Sequence, residues 1–194
     1  MNRIEIDKEK KALRAEIKKR VKNMDDGYRE ESDRKIAENI LSLSEYAAAK
    51  TVFCFVSTSA EINTRPVIED AIASGKTVCV PRCEDEPGIM ELFKIRSYED
   101  LEAGKWNILE PKKNCPEVMP GQIDFAVIPC ASCSSDGRRL GYGGGYYDRY
   151  LESAKYPCAI ICRETLMSED IPVDEHDIEF SLIVTDRKIS RIPK

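Results

Sequence analysis

Histidine and tryptophan each occur once in this chain, as His176 and Trp106. No stretch approaches the ~18–20 consecutive apolar residues that a membrane span needs, so no membrane partner is expected. With a single imidazole, any Ser-His or Cys-His catalytic pair would have to run through His176, and nothing beside it looks like a nucleophile elbow. Positive charge is short as well: 30 Lys and Arg against 35 Asp and Glu leave a net charge of −5, which argues against a nucleic-acid partner. The one basic region, Lys8 to Lys22, is interleaved with Glu9 and Glu16 and reads as the solvated face of an amphipathic helix. The opening Met-Asn-Arg-Ile-Glu lacks the apolar core of a signal peptide, so a cytoplasmic protein is expected. The eight cysteines then read as reduced thiols, with Cys54, Cys79, Cys158 and Cys162 inside apolar, strand-like runs. Cys130-Ala-Ser-Cys133 has the spacing of a zinc or redox pair. A zinc site would need two more ligands, and the pair Cys158 and Cys162 is spaced as in a strand, so core thiols are the expectation.

Glycine is scarce too, 10 in 194 residues, yet four glycines fall between 141 and 145 in the run Arg139-Leu-Gly-Tyr-Gly-Gly-Gly-Tyr-Tyr-Asp148. Removing the Cβ atoms lets backbone N–H groups approach a ligand closely. The spacing of Tyr147, Tyr150 and Leu151 predicts a helix from about Gly144, and a helix start behind a glycine loop suits an anion. Neither familiar nucleotide motif is present. The third glycine of G-x-G-x-x-G would fall on Tyr146, and no Lys-Ser or Lys-Thr follows for a P-loop. A flexible turn feeding a helix is the plain alternative. The arginine pair Arg138 and Arg139 upstream and Asp148 downstream favour phosphate with magnesium, which wants both signs of charge.

The length predicts one domain over residues 1–194. Helices are expected at about 7–22, from the spacing of Leu13, Ile17 and Val21, at about 30–43 and at 65–74. Strands are expected at 51–56, 77–80, 89–95, 123–128, 157–162 and 182–184, with 97–121 mostly loop. Strand–helix–strand spacing predicts an α/β fold with one open, mostly parallel sheet and helices on both faces. Such sheets bind ligands beyond the carboxyl ends of their strands. Glu61 and the glycine run both follow predicted strands, so they are expected to share a cleft.

Six ordered segments between Lys10 and Asp177 resemble the 5-formyltetrahydrofolate cyclo-ligases, also called 5,10-methenyltetrahydrofolate synthetases. They are Lys10-Lys-Ala-Leu-Arg14, Phe53 to Thr64 with Glu61, Val78-Cys-Val-Pro-Arg82, Trp106-Asn-Ile-Leu-Glu-Pro111, the glycine run, and Ile171-Pro-Val-Asp-Glu-His-Asp177. The resemblance implies a sandwich of the sugar-isomerase and CoA-transferase type. It also implies ATP- and Mg2+-dependent closure of 5-formyltetrahydrofolate to 5,10-methenyltetrahydrofolate, with ADP and phosphate released. Folate and ATP would then be the small-molecule partners. Carried over by position, Lys10, Arg14, Arg82, Arg139, Leu140, Gly141, Tyr142, Gly143, Gly144, Gly145, Tyr146 and Tyr147 would contact ATP. Asp148 and Asp177 would hold magnesium, while Val56, Glu61, Trp106, Tyr142, Gly143, Gly144, Gly145 and Tyr146 would contact folate. Glu61 and Arg139 would be catalytic. Position 142 is Arg or Met in some relatives and position 144 sometimes Lys, so Arg138, Arg139, Lys10 or the metal must neutralise the phosphate here.

The chemistry implied matches these residue types. A formamide oxygen becomes a leaving group once phosphorylated, and phosphoryl transfer needs mainly positioning and charge stabilisation. The folate's own N10 then attacks, aided by one carboxylate. Each residue has a plainer reading: a helix-start acid for Glu61 and Asp148, a solvated helix face for Lys10 and Arg14, and a solvated acidic loop for Asp177 beside Asp174, Glu175 and Glu179. Rival functions are a non-catalytic folate- or nucleotide-binding homologue, an ATP-dependent ligase acting on another N-formyl substrate, and a zinc-binding interaction module. Sequence leaves oligomeric state open, with a monomer as the default.

Overall fold

The computed structural model describes residues 3–84, 86, 88–104 and 108–193. In chain order these form α1 (Arg3–Lys22), α2 (Asp26–Leu41), α3 (Ser44–Ala48), β1 (Thr51–Cys54), α4 (Arg65–Ala73), β2 (Thr77–Cys83), β3 (Met90–Ile95), β4 (Leu101–Ala103), β5 (Leu109–Pro111), β6 (Phe125–Pro129), β7 (Ser132–Cys133), β8 (Arg139–Leu140), α5 (Tyr146–Leu151), β9 (Cys158–Ile161), β10 (Leu182–Val184) and β11 (Ile189–Arg191). A seven-stranded sheet has the order β11-β10-β9-β6-β1-β2-β3. The five strands β10, β9, β6, β1 and β2 run parallel, and β3 and β11 close the edges antiparallel. The expected α/β fold with one mostly parallel sheet is therefore present.

Alternation along the strands builds two cores. Val52, Cys54, Val78, Val80, Phe125 and Val127 face one side, where they meet Ile36, Ile40, Ile68 and Ala71 of α2 and α4. Phe53, Cys79, Ala126, Ile128 and Ile160 face the other, against Ile17 of α1 and Leu151 of α5. Each fully buried Val, Ile or Phe stabilises the fold by about 1.5–3 kcal/mol. Helices thus cover both faces, as expected.

Several boundaries move for identifiable reasons. Helix α2 starts four residues earlier than its apolar spacing shows, because Asp25 caps it by accepting from the Tyr28 N–H at 2.9 Å. Strand β1 stops at Cys54, while Phe55 and Val56 stay buried outside it. The segment expected to be loop carries the β4–β5 hairpin, whose three-residue strands are too short to show a period. Helix α5 begins at Tyr146 and spans only six residues, so little macrodipole stands behind the glycine run.

The chain runs from β1 to β2 on one side and later from β6 to β9 on the other, so the strand order reverses between β1 and β6. Ligands bind such sheets at that reversal, outside the carboxyl ends. The loop after β1 carries Glu61, and the loop after β6 leads through the β7–β8 hairpin to the glycine run.

Candidate active site

A cleft of about 950 Å³ opens at that reversal, at the upper end of the size range of ligand pockets. Val56, Glu61, Arg14, Tyr142, Gly143, Gly144, Tyr146 and Tyr147 all line it, so residues 133 positions apart in the chain meet as expected. Much of the remaining wall is apolar, including Phe55, Ile62, Ile161 and Leu166.

At one end of the cleft, Glu61 is held by neutral groups. The loop after β1 folds on itself: Thr64 Oγ1 donates to the Phe55 carbonyl at 2.7 Å, and Ser57 and Thr64 exchange backbone-to-hydroxyl bonds. Glu61 Oε2 accepts from both the N–H and the hydroxyl of Thr58, each at 2.8 Å. Helix α4 begins only at Arg65, so Glu61 is a loop carboxylate and not a first-turn helix acid. Arg163, which sequence reasoning missed, also lines this end. Its guanidinium is almost wholly buried and donates to Ser32 Oγ at 2.9 Å, to Asp33, and to the Glu61 carbonyl at 3.3 Å. Burial lifts the Asp33 carboxyl above its usual value, although Arg163 pulls the other way. The only sequence signal for Arg163 is a charge directly after the apolar run that forms β9.

Behind the glycine run charge meets charge, through Lys10, Arg139, Asp148, Asp174 and Asp177, none of which is among the residues lining the cleft. Lys10 sits on the apolar stripe of α1, four residues after Ile6 and seven before Ile17, and is 6% exposed. Its ammonium bonds Asp174 at 2.9 Å and Asp177 at 2.5 Å. Burial lowers the Lys10 pKa, but the two carboxylates outweigh it and the net shift is upward. The acidic segment near Asp177 is therefore a partner of α1, and neither Lys10 nor Asp177 is simply solvated. Arg14, one turn on, donates to the Gly141 carbonyl at 2.7 Å. Burial pulls its guanidinium below the usual value, with Asp177 and Asp7 opposing.

Arg139 is buried beneath the glycine run. It donates from Nε to the Pro129 carbonyl at 2.9 Å and from Nη1 to Asp148 at 3.0 Å, and its guanidinium lies 5.4 Å from the Tyr147 ring centroid. The neighbouring Arg138 turns the other way, onto Asp136 and the carbonyls of Glu169 and Ile171. The two arginines thus have separate tasks. Gly143 and Gly145 take φ of 102° and 67°, and a Cβ at Gly143 would stand 3.5 Å from the Arg14 guanidinium carbon. Leu140 is core, and a Cβ at Gly141 would crowd Arg139 to 3.0 Å.

Leu140, Gly141 and Gly145 are also absent from the cleft lining, and two further expected residues stand apart from the site. Pro81 and Cys83 line the cleft, but strand alternation sends Arg82 to the opposite face, where its guanidinium lies 3.7 Å from the Phe93 ring centroid. Trp106 lies outside the described residues. No helix among the described residues is long and apolar enough to cross a membrane.

The arrangement joins a cationic, glycine-lined end to an apolar end bearing one positioned carboxylate, a combination suited to a polyanion and a flat heterocycle. Residues 6–186 match the model of the 5-formyltetrahydrofolate cyclo-ligase family. The chain is similar to the 5-formyltetrahydrofolate cyclo-ligase of Mus musculus, 29% identical over 92% of this chain and 94% of the relative. The mitochondrial enzyme of the same name from Arabidopsis thaliana is 29% identical over 95% of this chain and 77% of its own, so likeness to these proteins does not fix a compartment. The NMR structure of Aquifex aeolicus 5,10-methenyltetrahydrofolate synthetase has a TM-score of 0.82 at 27% identity, covering 95% of this chain and 93% of that one.

Proposed function

Because the chain belongs to the 5-formyltetrahydrofolate cyclo-ligase family and is thus a ligase of folate metabolism, we propose that it closes 5-formyltetrahydrofolate to 5,10-methenyltetrahydrofolate at the expense of ATP. The observation that carries this reading is the shared cleft, with Glu61 at one end and Arg14 beside the glycine run at the other.

The phosphate end has room and charge for a nucleotide. A Cβ at Gly143 would fill the space before Arg14, and Lys10, Arg14 and Arg139 supply three cations. Asp148 and Asp177 fit a magnesium ion. Among the described residues each is bonded through one oxygen only, Oδ1 of Asp148 and Oδ2 of Asp177, which leaves a second oxygen on each. A bound Mg2+ would spread the charge of the phosphates and keep several waters with its one or two carboxylates.

The reaction then divides between the two ends. The formyl oxygen attacks the terminal phosphorus of ATP, ADP leaves, and Arg139 and Arg14 stabilise charge on the moving phosphoryl group. Folate N10 attacks the activated formyl carbon, its proton passes to the Glu61 carboxylate, and phosphate departs. Thr58 fixes that carboxylate through Oε2. Loss of the N10 proton and of phosphate balances the ring closure.

The test is the near-ultraviolet absorbance of methenyltetrahydrofolate in mixtures of the protein with 5-formyltetrahydrofolate. Product is expected only when both ATP and Mg2+ are present. Folate binding with no product under those conditions would make the protein a carrier and overturn the reading.

A further inference from the structure

Beside the cleft, two of its members in the wall, lies a group of residues that the ring closure does not use. Cys130 follows β6, Cys133 ends β7 and Cys162 follows β9. Their three sulfur atoms lie within 4.8 Å of one another, the only such grouping of potential metal ligands among the described residues. All three are buried, yet Cys130 and Cys162 line the cleft. Cys133 is fully buried and does not. The expected Cys130-x-x-Cys133 pair thus gains a third sulfur from 29 residues downstream, and it is Cys162 rather than Cys158 that completes it.

We infer that Cys130, Cys133 and Cys162 form a binding site for a thiophilic d10 cation, zinc in the first instance, set in the wall of the cleft. Tetrahedral zinc with Zn–S bonds of about 2.3 Å requires sulfurs about 3.8 Å apart. The observed spread is within roughly 1 Å of that. Three protein ligands leave a fourth position, as in open zinc sites, and water from the cleft fills it. Binding is balanced as three thiols plus Zn2+ giving a tris-thiolate complex of charge −1 and three released protons.

Without metal the same thiols are satisfied in another way. Cys130 Sγ donates to the Ile161 carbonyl at 3.2 Å and Cys162 Sγ to the Arg163 carbonyl at 3.4 Å. Contacts among the sulfurs and their burial hold all three thiols above the usual value. These S–H bonds are weak, and metal–thiolate bonds replace them with a large gain. The bound ion would tie the carboxyl ends of the adjacent strands β6 and β9 to the β7–β8 hairpin that leads to the glycine run.

The experiment uses the whole reduced protein, stripped with a chelator and needing neither folate nor ATP, so its failure is separable from failure of the ligase reading. Zinc is titrated in competition with a chromophoric chelator. Cadmium is titrated separately to record its thiolate charge-transfer absorbance, which carboxylate sites such as Asp148 and Asp177 do not produce. About one zinc per chain is expected, with a cadmium–thiolate band and a rise in the thermal midpoint. Cys130→Ser, the least buried of the three, should weaken zinc at least about tenfold and shrink the band. Cys158→Ser, on β9 but outside the cluster, should change neither. If Cys130→Ser does not fold, the wild-type cadmium spectrum still decides. A spectrum without a thiolate band, or a Cys130→Ser variant that binds as tightly as wild type, leaves three core thiols and ends the proposal.

Discussion

The two ends of the cleft are held by opposite means. At the Glu61 end the functional carboxylate is fixed by Thr58, a neutral residue three positions away, while the buried Arg163 braces the loop backbone from α2. Around the glycine run two of the three cations are held by carboxylates, Lys10 by Asp174 and Asp177 and Arg139 by Asp148, while Arg14 rests on the Gly141 carbonyl. Neutral anchors aim the Glu61 carboxylate before any ligand arrives. Ion pairs instead store charge in matched sets, which an arriving polyanion with its metal can repartition. The first end is preorganised, and the second is poised for exchange.

Glu61→Gln should break the comparison most sharply. The amide oxygen can still accept from both Thr58 donors, so the fold should keep its stability while the proton acceptor is lost. A positioned base contributes about 10²–10⁴ in rate, roughly 3–5 kcal/mol of barrier. Phosphoryl transfer to the formyl oxygen stays possible, so released phosphate should exceed methenyl product when both are measured in one cuvette. Wild-type product formation by this variant would leave Glu61 a loop anchor only.

At the glycine end the same kind of deletion should cost stability first. Lys10→Met keeps the apolar stem on α1 but strands Asp174 and Asp177, whose side chains are 18% and 17% exposed. Breaking a fully buried pair costs 3–5 kcal/mol, and this partial exposure reduces the loss to about 2–3 kcal/mol. Urea midpoints measure it. An unchanged midpoint would mean that the clamp contributes nothing and that Lys10 is retained for ligand alone. A loss no larger than this is expected from Gly143→Ala. A side chain at φ 102° costs about 1–3 kcal/mol, while the methyl group itself would meet Arg14 at an ordinary contact distance of 3.5 Å. ATP affinity should fall with stability; a variant that loses stability but binds ATP normally would separate the loop from the nucleotide.

The two ends also differ in how far sequence reveals them. Strands β1, β2, β6 and β9 are legible because β-branched and apolar runs have to be buried on both faces of a parallel sheet. Glu61 and the glycine run could be placed at one cleft because both follow such strands. The bond between Lys10 and Asp177 spans 167 positions, and no local period encodes it. The one trace is a lysine on the apolar stripe of α1, which reads as a solvated face until the partner is known. Arg82 shows the reverse case: the Pro-Arg motif is plain in sequence, but strand alternation turns its guanidinium onto Phe93. Cys162 joins Cys130 and Cys133 only because β6 and β9 are neighbours, a fact of topology rather than spacing.

The smallest effect, and the one that isolates the charged end, is the dependence of stability on pH. The Lys10 ammonium holds the Asp174 carboxyl below its usual 3.8, chiefly through their hydrogen bond, with burial opposing. A depressed carboxyl contributes stability that is present above the unfolded value and lost as pH falls through the folded one. Lys10 is shifted the other way, above 10.5, because Asp177 and Asp174 together outweigh its burial. Its contribution is complete below 10.5 and disappears as pH climbs through the raised value. The clamp should therefore stabilise the fold fully between about pH 4 and pH 10 and weaken on both sides. Urea midpoints recorded across that range for wild type and Asp174→Asn should show the variant less stable on the plateau. Below pH 4 the two curves should converge, because the wild-type carboxyl is then being neutralised as well. Midpoints that run parallel down to pH 2 would show that Asp174 contributes packing and not charge. The Lys10 clamp would then rest on Asp177 alone, the same carboxylate proposed to face the metal.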